Sequence, residues 1–140
     1  MLKMNKVEHI GIAVRDLEQS NALYTALLGV PPYKTEMVES EHVITSFFQV
    51  GGTKIELLQA TQPESAIARF IEQRGEGMHH IAYDVSDIRT SMEELAQQGF
   101  KLLNDQPKRG ADQKWVCFLH PKTCGGVLVE LCQDISQPIC

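Results

Sequence analysis

His9-Ile-Gly-Ile-Ala-Val-Arg-Asp16-Leu17 reads directly onto His80-Ile-Ala-Tyr-Asp-Val-Ser-Asp87-Ile88, and in both stretches the histidine precedes the aspartate by seven residues. A second pair lies further along. Gly51-Gly52-Thr-Lys-Ile-Glu56-Leu57-Leu-Gln59 matches Gly125-Gly126-Val-Leu-Val-Glu130-Leu131-Cys-Gln133. The histidine-to-glutamate separation is 47 residues in the first half and 50 in the second. Agreement at two distant anchors with nearly equal spacing between them identifies an internal duplication.

Each half follows one grammar. The β-branched, alternating stretch at about 7–14 predicts a strand. Asp16 then caps a helix, with Gln19 in the capping-box position, Leu17, Tyr24, Leu27 and Leu28 as its apolar stripe, and Gly29 as its stop. Strands are expected near 33–38, 43–50 and 53–59, the last two joined by a Gly51-Gly52 hairpin turn. In the second half, 80–85 is the strand, and Asp87 caps a helix with Ile88, Met92, Leu95 and Ala96 on one face, ended by Gly99. Strands are expected near 101–103, 114–119 and 127–133. The fold class is therefore α+β, one domain spanning 1–140. Module one covers about 5–60, a linking helix about 64–74 and module two about 76–134, each module a βαβββ unit.

Strand side chains alternate between faces. His9, Gly11 and Ala13 share one face, as do His80, Ala82 and Asp84. Glu56 lies between Ile55 and Leu57, and Glu130 between Val129 and Leu131. A carboxylate flanked by apolar residues in mid-strand is costly if it faces a dry core, and a metal ion would offset that cost. Alone, each of the four has a plain alternative: a histidine satisfied in the core, or a glutamate facing solvent on a half-wet sheet. The duplication supplies one His and one Glu from equivalent positions in each half. A pseudo-two-fold axis would bring both pairs to one ion. His9, Glu56, His80 and Glu130 are thus the expected metal ligands. Two imidazoles and two carboxylates without thiolate suit one divalent ion per chain, such as Co, Mn, Ni, Fe, Zn or Mg. His79 points away from His80 by alternation, and His42 and His120 lack repeat partners.

Composition narrows the function classes. A net charge of -5 argues against general nucleic-acid binding. No apolar run approaches the roughly 20 residues of a membrane helix, and the start of the chain shows no signal peptide, so a cytoplasmic protein is expected. Cys117, Cys124, Cys132 and Cys140 form no C-x-x-C pair and read as reduced thiols, Cys117 and Cys132 in the core. Residues 1–100 carry a net charge of -6, whereas 101–140 carry +1, with Lys101, Lys108, Arg109, Lys114 and Lys122 in one stretch. That stretch reads either as a solvated face or as a phosphate site.

Paired βαβββ modules with one His and one Glu each resemble the vicinal oxygen chelate superfamily. Within it, residues 5–133 resemble the methylmalonyl-CoA epimerase family. The carrying motifs are His9-Ile-Gly-Ile-Ala-Val, Gly52-Thr-Lys-Ile-Glu56-Leu-Leu, Arg74-Gly-Glu-Gly-Met-His-His80-Ile-Ala and Phe118-Leu-His-Pro-Lys122-Thr-Cys-Gly-Gly-Val-Leu-Val-Glu130-Leu. The resemblance implies an incomplete eight-stranded barrel around the metal, a homodimer, and a coenzyme A thioester epimerised by proton transfer at C2. It also gives the basic stretch, Lys122 and Lys114 above all, a use in binding the coenzyme A phosphates. From the duplication rather than the resemblance, Glu130 and Glu56 would be the acid–base pair as well as ligands. Some family members have Gln at the Glu56 position, Ser at Thr123, and a third-strand glutamate where Thr45 stands here. A glyoxalase-type lyase acting on a glutathione thiohemiacetal needs the same ligand set, and the His-Pro-Lys segment disfavours it. The extra glutamate disfavours a dioxygenase with two His and one carboxylate. A non-catalytic small-molecule binding protein of this fold would need no metal.

Overall fold

The computed structural model describes residues 3–136. They form an α+β structure of two compact units. One unit is His9–His79. The other takes the described residues of Met1–Glu8 together with His80–Cys140.

The elements are β1 (Lys6–Ala13), α1 (Leu17–Leu28), β2 (Lys34–Val38), β3 (Val43–Val50), β4 (Thr53–Ala60), α2 (Ala66–Arg74), β5 (Gly77–Asp84), α3 (Ile88–Gln97), β6 (Lys108–Gly110), β7 (Lys114–Leu119) and β8 (Val129–Asp134). Within the first unit the strands lie side by side as β2-β3-β4-β1, and within the second as β6-β7-β8-β5. The duplication is therefore structural: each half pairs its first strand parallel to its last, and its last antiparallel to its third. The start of β1 belongs with the second half. There Asn5 N–H donates to Asp84 C=O at 2.8 Å, and its side-chain amide donates to Asp84 Oδ2 at 2.8 Å.

Both long helices begin as the sequence indicates. Asp16 accepts from Gln19 N–H and Asp87 from Thr90 N–H, each in extended backbone conformation, which satisfies an N-terminal donor that the helix itself leaves open. Ser65 caps α2 in the same way, through Ile67 N–H. The helices cover the packing face of the sheets. Val14, Leu17, Phe48 and Leu57 form one core with Tyr24 and Leu28, and Val85, Ile88, Met92, Cys117 and Leu131 form the other with Leu95, Leu102 and Trp115. Burying each of the larger side chains stabilises its half by roughly 1.5–3 kcal/mol.

Three sequence expectations change. Leu27 does not join the stripe of α1 and is 68% exposed, because Tyr24 and Leu28 already fill the contact with the sheet. Ala96 likewise lies on the exposed side of α3. The expected strand at 101–103 is a single bridge, Leu102 to Leu119, and the real edge strand is β6, seven residues later. Apolar Leu102 and Leu103 marked that stretch for a strand, but Leu102 anchors it to the α3 core while Asn104 turns the chain. Asn104 Oδ1 accepts from Phe118 N–H at 3.1 Å and so takes a bond that a strand would have made. β6 then runs close against β7. A Cβ on Gly110 would meet Val116 Cγ1 at 2.8 Å. Among the described residues no helix is long and apolar enough to cross a membrane.

Candidate functional site

Parallel pairing sets Gly11 opposite Glu56 and Ala82 opposite Glu130. The histidine of each half stands two residues before the glycine or alanine, so it shares the face of the glutamate. Opposite each glutamate the histidine strand carries only a glycine or an alanine, and the histidine and glutamate of each half meet. His9 Nδ1 lies 3.1 Å from Glu56 Oε2, and His80 Nε2 lies 3.2 Å from Glu130 Oε1. All four side chains are buried, between 4% and 7% exposed. On the antiparallel side the neighbours also match, with Phe47 opposite Glu56 and Phe118 opposite Glu130. Phe118 meets the His80 ring edge-on at 5.8 Å.

Each half therefore carries one imidazole nitrogen and one carboxylate oxygen in contact, both side chains buried. An imidazole nitrogen and a carboxylate oxygen 3.1–3.2 Å apart are close enough that both could bind one ion, and the donor types would suit a borderline divalent ion.

The other histidines have structural employment. His79 packs edge-on against Phe70 of α2 at 5.0 Å. His120 Nδ1 accepts from Lys122 N–H at 3.0 Å and caps a 3-10 turn at Pro121–Thr123. His42 closes another such turn in the left-handed region, φ 54°. Cys117, Cys124 and Cys132 are free thiols, while Cys140 lies outside the described residues. Burial pushes the Cys117 thiol up to about 11. Burial first, then the charges of Glu130 and Glu8, push Cys132 up as well.

The basic stretch divides. Lys114 Nζ sits 3.8 Å from Asp134 Oδ2 with its side chain only 13% exposed, so its charge is already matched. Lys108 and Arg109 lie over Phe118 and Trp115. Lys122 is exposed on the 3-10 turn. That turn is fastened to Lys101, whose N–H donates to Thr123 Oγ1 and whose C=O accepts from His120 N–H.

Sequence reasoning missed three groups. Glu8 is a carboxylate only 2% exposed, hidden from a pattern search because it has His79 as its repeat partner. Glu36 lies opposite Thr45, on the face of Glu56, with Lys34 3.5 Å from its carboxylate. Thr45 itself is fully buried, and among the described residues its hydroxyl has no hydrogen-bond partner. Cross-strand register would have revealed Glu36, but register is not written in the local sequence. Gln59 and Gln133 are the third group; both stand in the matched repeat and both bond to a helix start.

Residues 8–118 match the profile of the Glyoxalase/Bleomycin resistance protein/Dioxygenase superfamily. The mitochondrial methylmalonyl-CoA epimerase of Homo sapiens is 39% identical over 129 residues, covering 91% of this chain and 73% of the relative. The ethylmalonyl-CoA/methylmalonyl-CoA epimerase of Cereibacter sphaeroides is 39% identical over 130 residues, covering 91% and 97%. Among solved structures, a variant of Streptomyces coelicolor methylmalonyl-CoA epimerase in complex with 2-nitronate-propionyl-CoA superposes with a TM-score of 0.92. It is 32% identical and covers 96% of this chain and 98% of that one. With the likeness running through both halves, this chain belongs to the methylmalonyl-CoA epimerase family of the Glyoxalase/Bleomycin resistance protein/Dioxygenase superfamily.

Proposed function

We propose that the chain is a metal-dependent epimerase that interconverts (R)- and (S)-methylmalonyl-CoA by proton transfer at C2. The observation that carries this reading is the buried His–Glu pair, built twice at the same register in a chain 39% identical to such an epimerase. His9, Glu56, His80 and Glu130 would together hold one divalent ion, which supplies Lewis-acid stabilisation of the charge that develops on the thioester oxygen. Glu130, ionised, would take the C2 proton from one side, and Glu56, starting protonated, would deliver its proton to the other, so the planar carbanion is reprotonated with inverted configuration and the pair exchanges protonation states, to be reset by solvent. Burial of the four side chains limits access of water that would otherwise protonate at random. Exposed Lys122 on its anchored turn contacts a coenzyme A phosphate. Lys114, matched by Asp134, contributes less. Free cysteines fit a reducing compartment such as the cytoplasm. Leu23 and Leu27, exposed one turn apart on α1, favour a homodimer.

The test is direct. Cobalt-loaded protein is given one pure epimer in deuterium oxide, and both the second epimer and C2 deuterium are followed. Interconversion with deuterium uptake is expected. Turnover of a glutathione thiohemiacetal without epimerisation would replace this reading with the lyase.

A further inference from the structure

Each half carries a second connection between its ligand strands, which neither the metal nor the proton chemistry uses. Gln59 Oε1 accepts from Leu17 N–H at 2.6 Å, and Gln133 Oε1 accepts from Ile88 N–H at 2.8 Å. Leu17 and Ile88 are the first residues of α1 and α3, whose N–H groups find no partner inside their own helices. Beside each bond runs a backbone bond between the same segments: Val14 N–H to Leu58 C=O, and Val85 N–H to Cys132 C=O, both 2.9 Å. Gln133 is 1% exposed.

A hairpin takes its register from its turn, as β3 and β4 do from Gly51-Gly52. The parallel pairs β1–β4 and β5–β8 have no such turn, since a helix and two strands intervene between their partners. Their register still decides the site. A slip of one residue would carry Glu56 to the opposite face from His9. We propose that Gln59 and Gln133 are positioning residues that hold this register. Each clamps the glutamate strand to the helix start that directly follows the histidine strand, and so keeps the His–Glu pair aligned for a metal ion. The residue type suits the task. Three positions beyond the glutamate, it faces the helix while the glutamate faces the histidine. Its neutral carbonyl satisfies a buried N–H without bringing in a charge.

The inference rests on the metal reading above, so the experiment separates the two. Co2+ is titrated into the full-length protein and into Gln59→Met, Gln59→Glu and Ser65→Ala. Gln59→Met loses the acceptor and should bind Co2+ roughly 10–100-fold more weakly, as groups supporting metal ligands do. Gln59→Glu keeps an acceptor oxygen and should recover most of the affinity and the visible spectrum of the bound cobalt. Ser65→Ala removes the α2 cap and should lower thermal stability with Co2+ affinity unchanged. Wild-type affinity in Gln59→Met, or equal loss in Gln59→Glu, overturns the clamp. Amide exchange in the unaltered protein gives an independent reading if Gln59→Met does not fold or if no Co2+ binds. The amides of Leu17 and Ile88 should exchange as slowly as those of the adjoining strands. Exchange at the fast rate of open helix ends would overturn the proposal, whereas absent Co2+ binding with slow exchange would overturn only the metal reading.

Discussion

In the first half His9 meets Glu56 through Nδ1, and in the second His80 meets Glu130 through Nε2, at separations that differ by 0.1 Å. Around these pairs the halves agree closely: an aspartate cap, a glutamine on the helix start, and a phenylalanine opposite the glutamate. At the edges they part. β2 pairs with β3 over five positions, but β6 pairs with β7 over three. The first half joins its last two strands by Gly51-Gly52, whereas the second uses the longer path 120–128 through the Lys122 turn. The two halves therefore share what holds a buried His–Glu pair and differ in what meets the solvent. The divergent edge of the second half is where substrate recognition is expected, because the basic residues collect there.

The largest effects should come from the shared part. Glu56→Gln and Glu130→Gln should each lower interconversion by roughly 10²–10⁴-fold, the usual contribution of a general acid or base. Glu56→Gln should still exchange the C2 hydrogen of one epimer with solvent deuterium, and Glu130→Gln, if it keeps its metal, that of the other. Normal interconversion in Glu56→Gln would leave that residue as a ligand at most. Next comes the divergent edge. Lys122→Ala should raise KM by roughly 10–150-fold, for a charge-assisted contact of about 1.5–3 kcal/mol, with metal content unchanged. Lys114→Ala should change KM less, since Asp134 already matches its charge. An equal KM effect in both would place the phosphate differently.

Packing effects are smaller. Gly110→Ala should destabilise the fold by about 1–3 kcal/mol, as overpacking of β6 on buried Val116, and a denaturant midpoint equal to wild type would contradict that contact. The pH effect is smallest. Burial holds the folded Cys117 thiol at about 11, above the 9.0 of an ordinary thiol. Unfolded chains lose that proton first, so its contribution is full below pH 9 and declines as pH rises toward 11. Denaturation midpoints at pH 8 and 10.5 should differ more in wild type than in Cys117→Ala.

The duplication makes the fold and the two His–Glu contacts legible because strand alternation has a period of two and equivalent residues recur in both halves. His9, Glu56, His80 and Glu130 could be picked out from that alone. Edge features were less legible. β6 holds only Lys108–Gly110, which carries no hydrophobic alternation, and Leu102 and Leu103 drew the strand to the wrong place. Glu36 and Glu8 escaped notice because their meaning lies in cross-strand register and burial, which are long-range. Gln59 and Gln133 were visible as a repeat but had no stated task until their bonds to the helix starts were seen.

In the proposed site two equivalent His–Glu pairs would serve one ion. The most direct test is the metal content of reconstituted, extensively dialysed protein, compared among wild type, His9→Ala and His80→Ala by elemental analysis. One ion per chain in wild type, with both variants well below one, is the expected result. Two ions per chain in wild type with one remaining in each variant, or full occupancy in both variants, would contradict it.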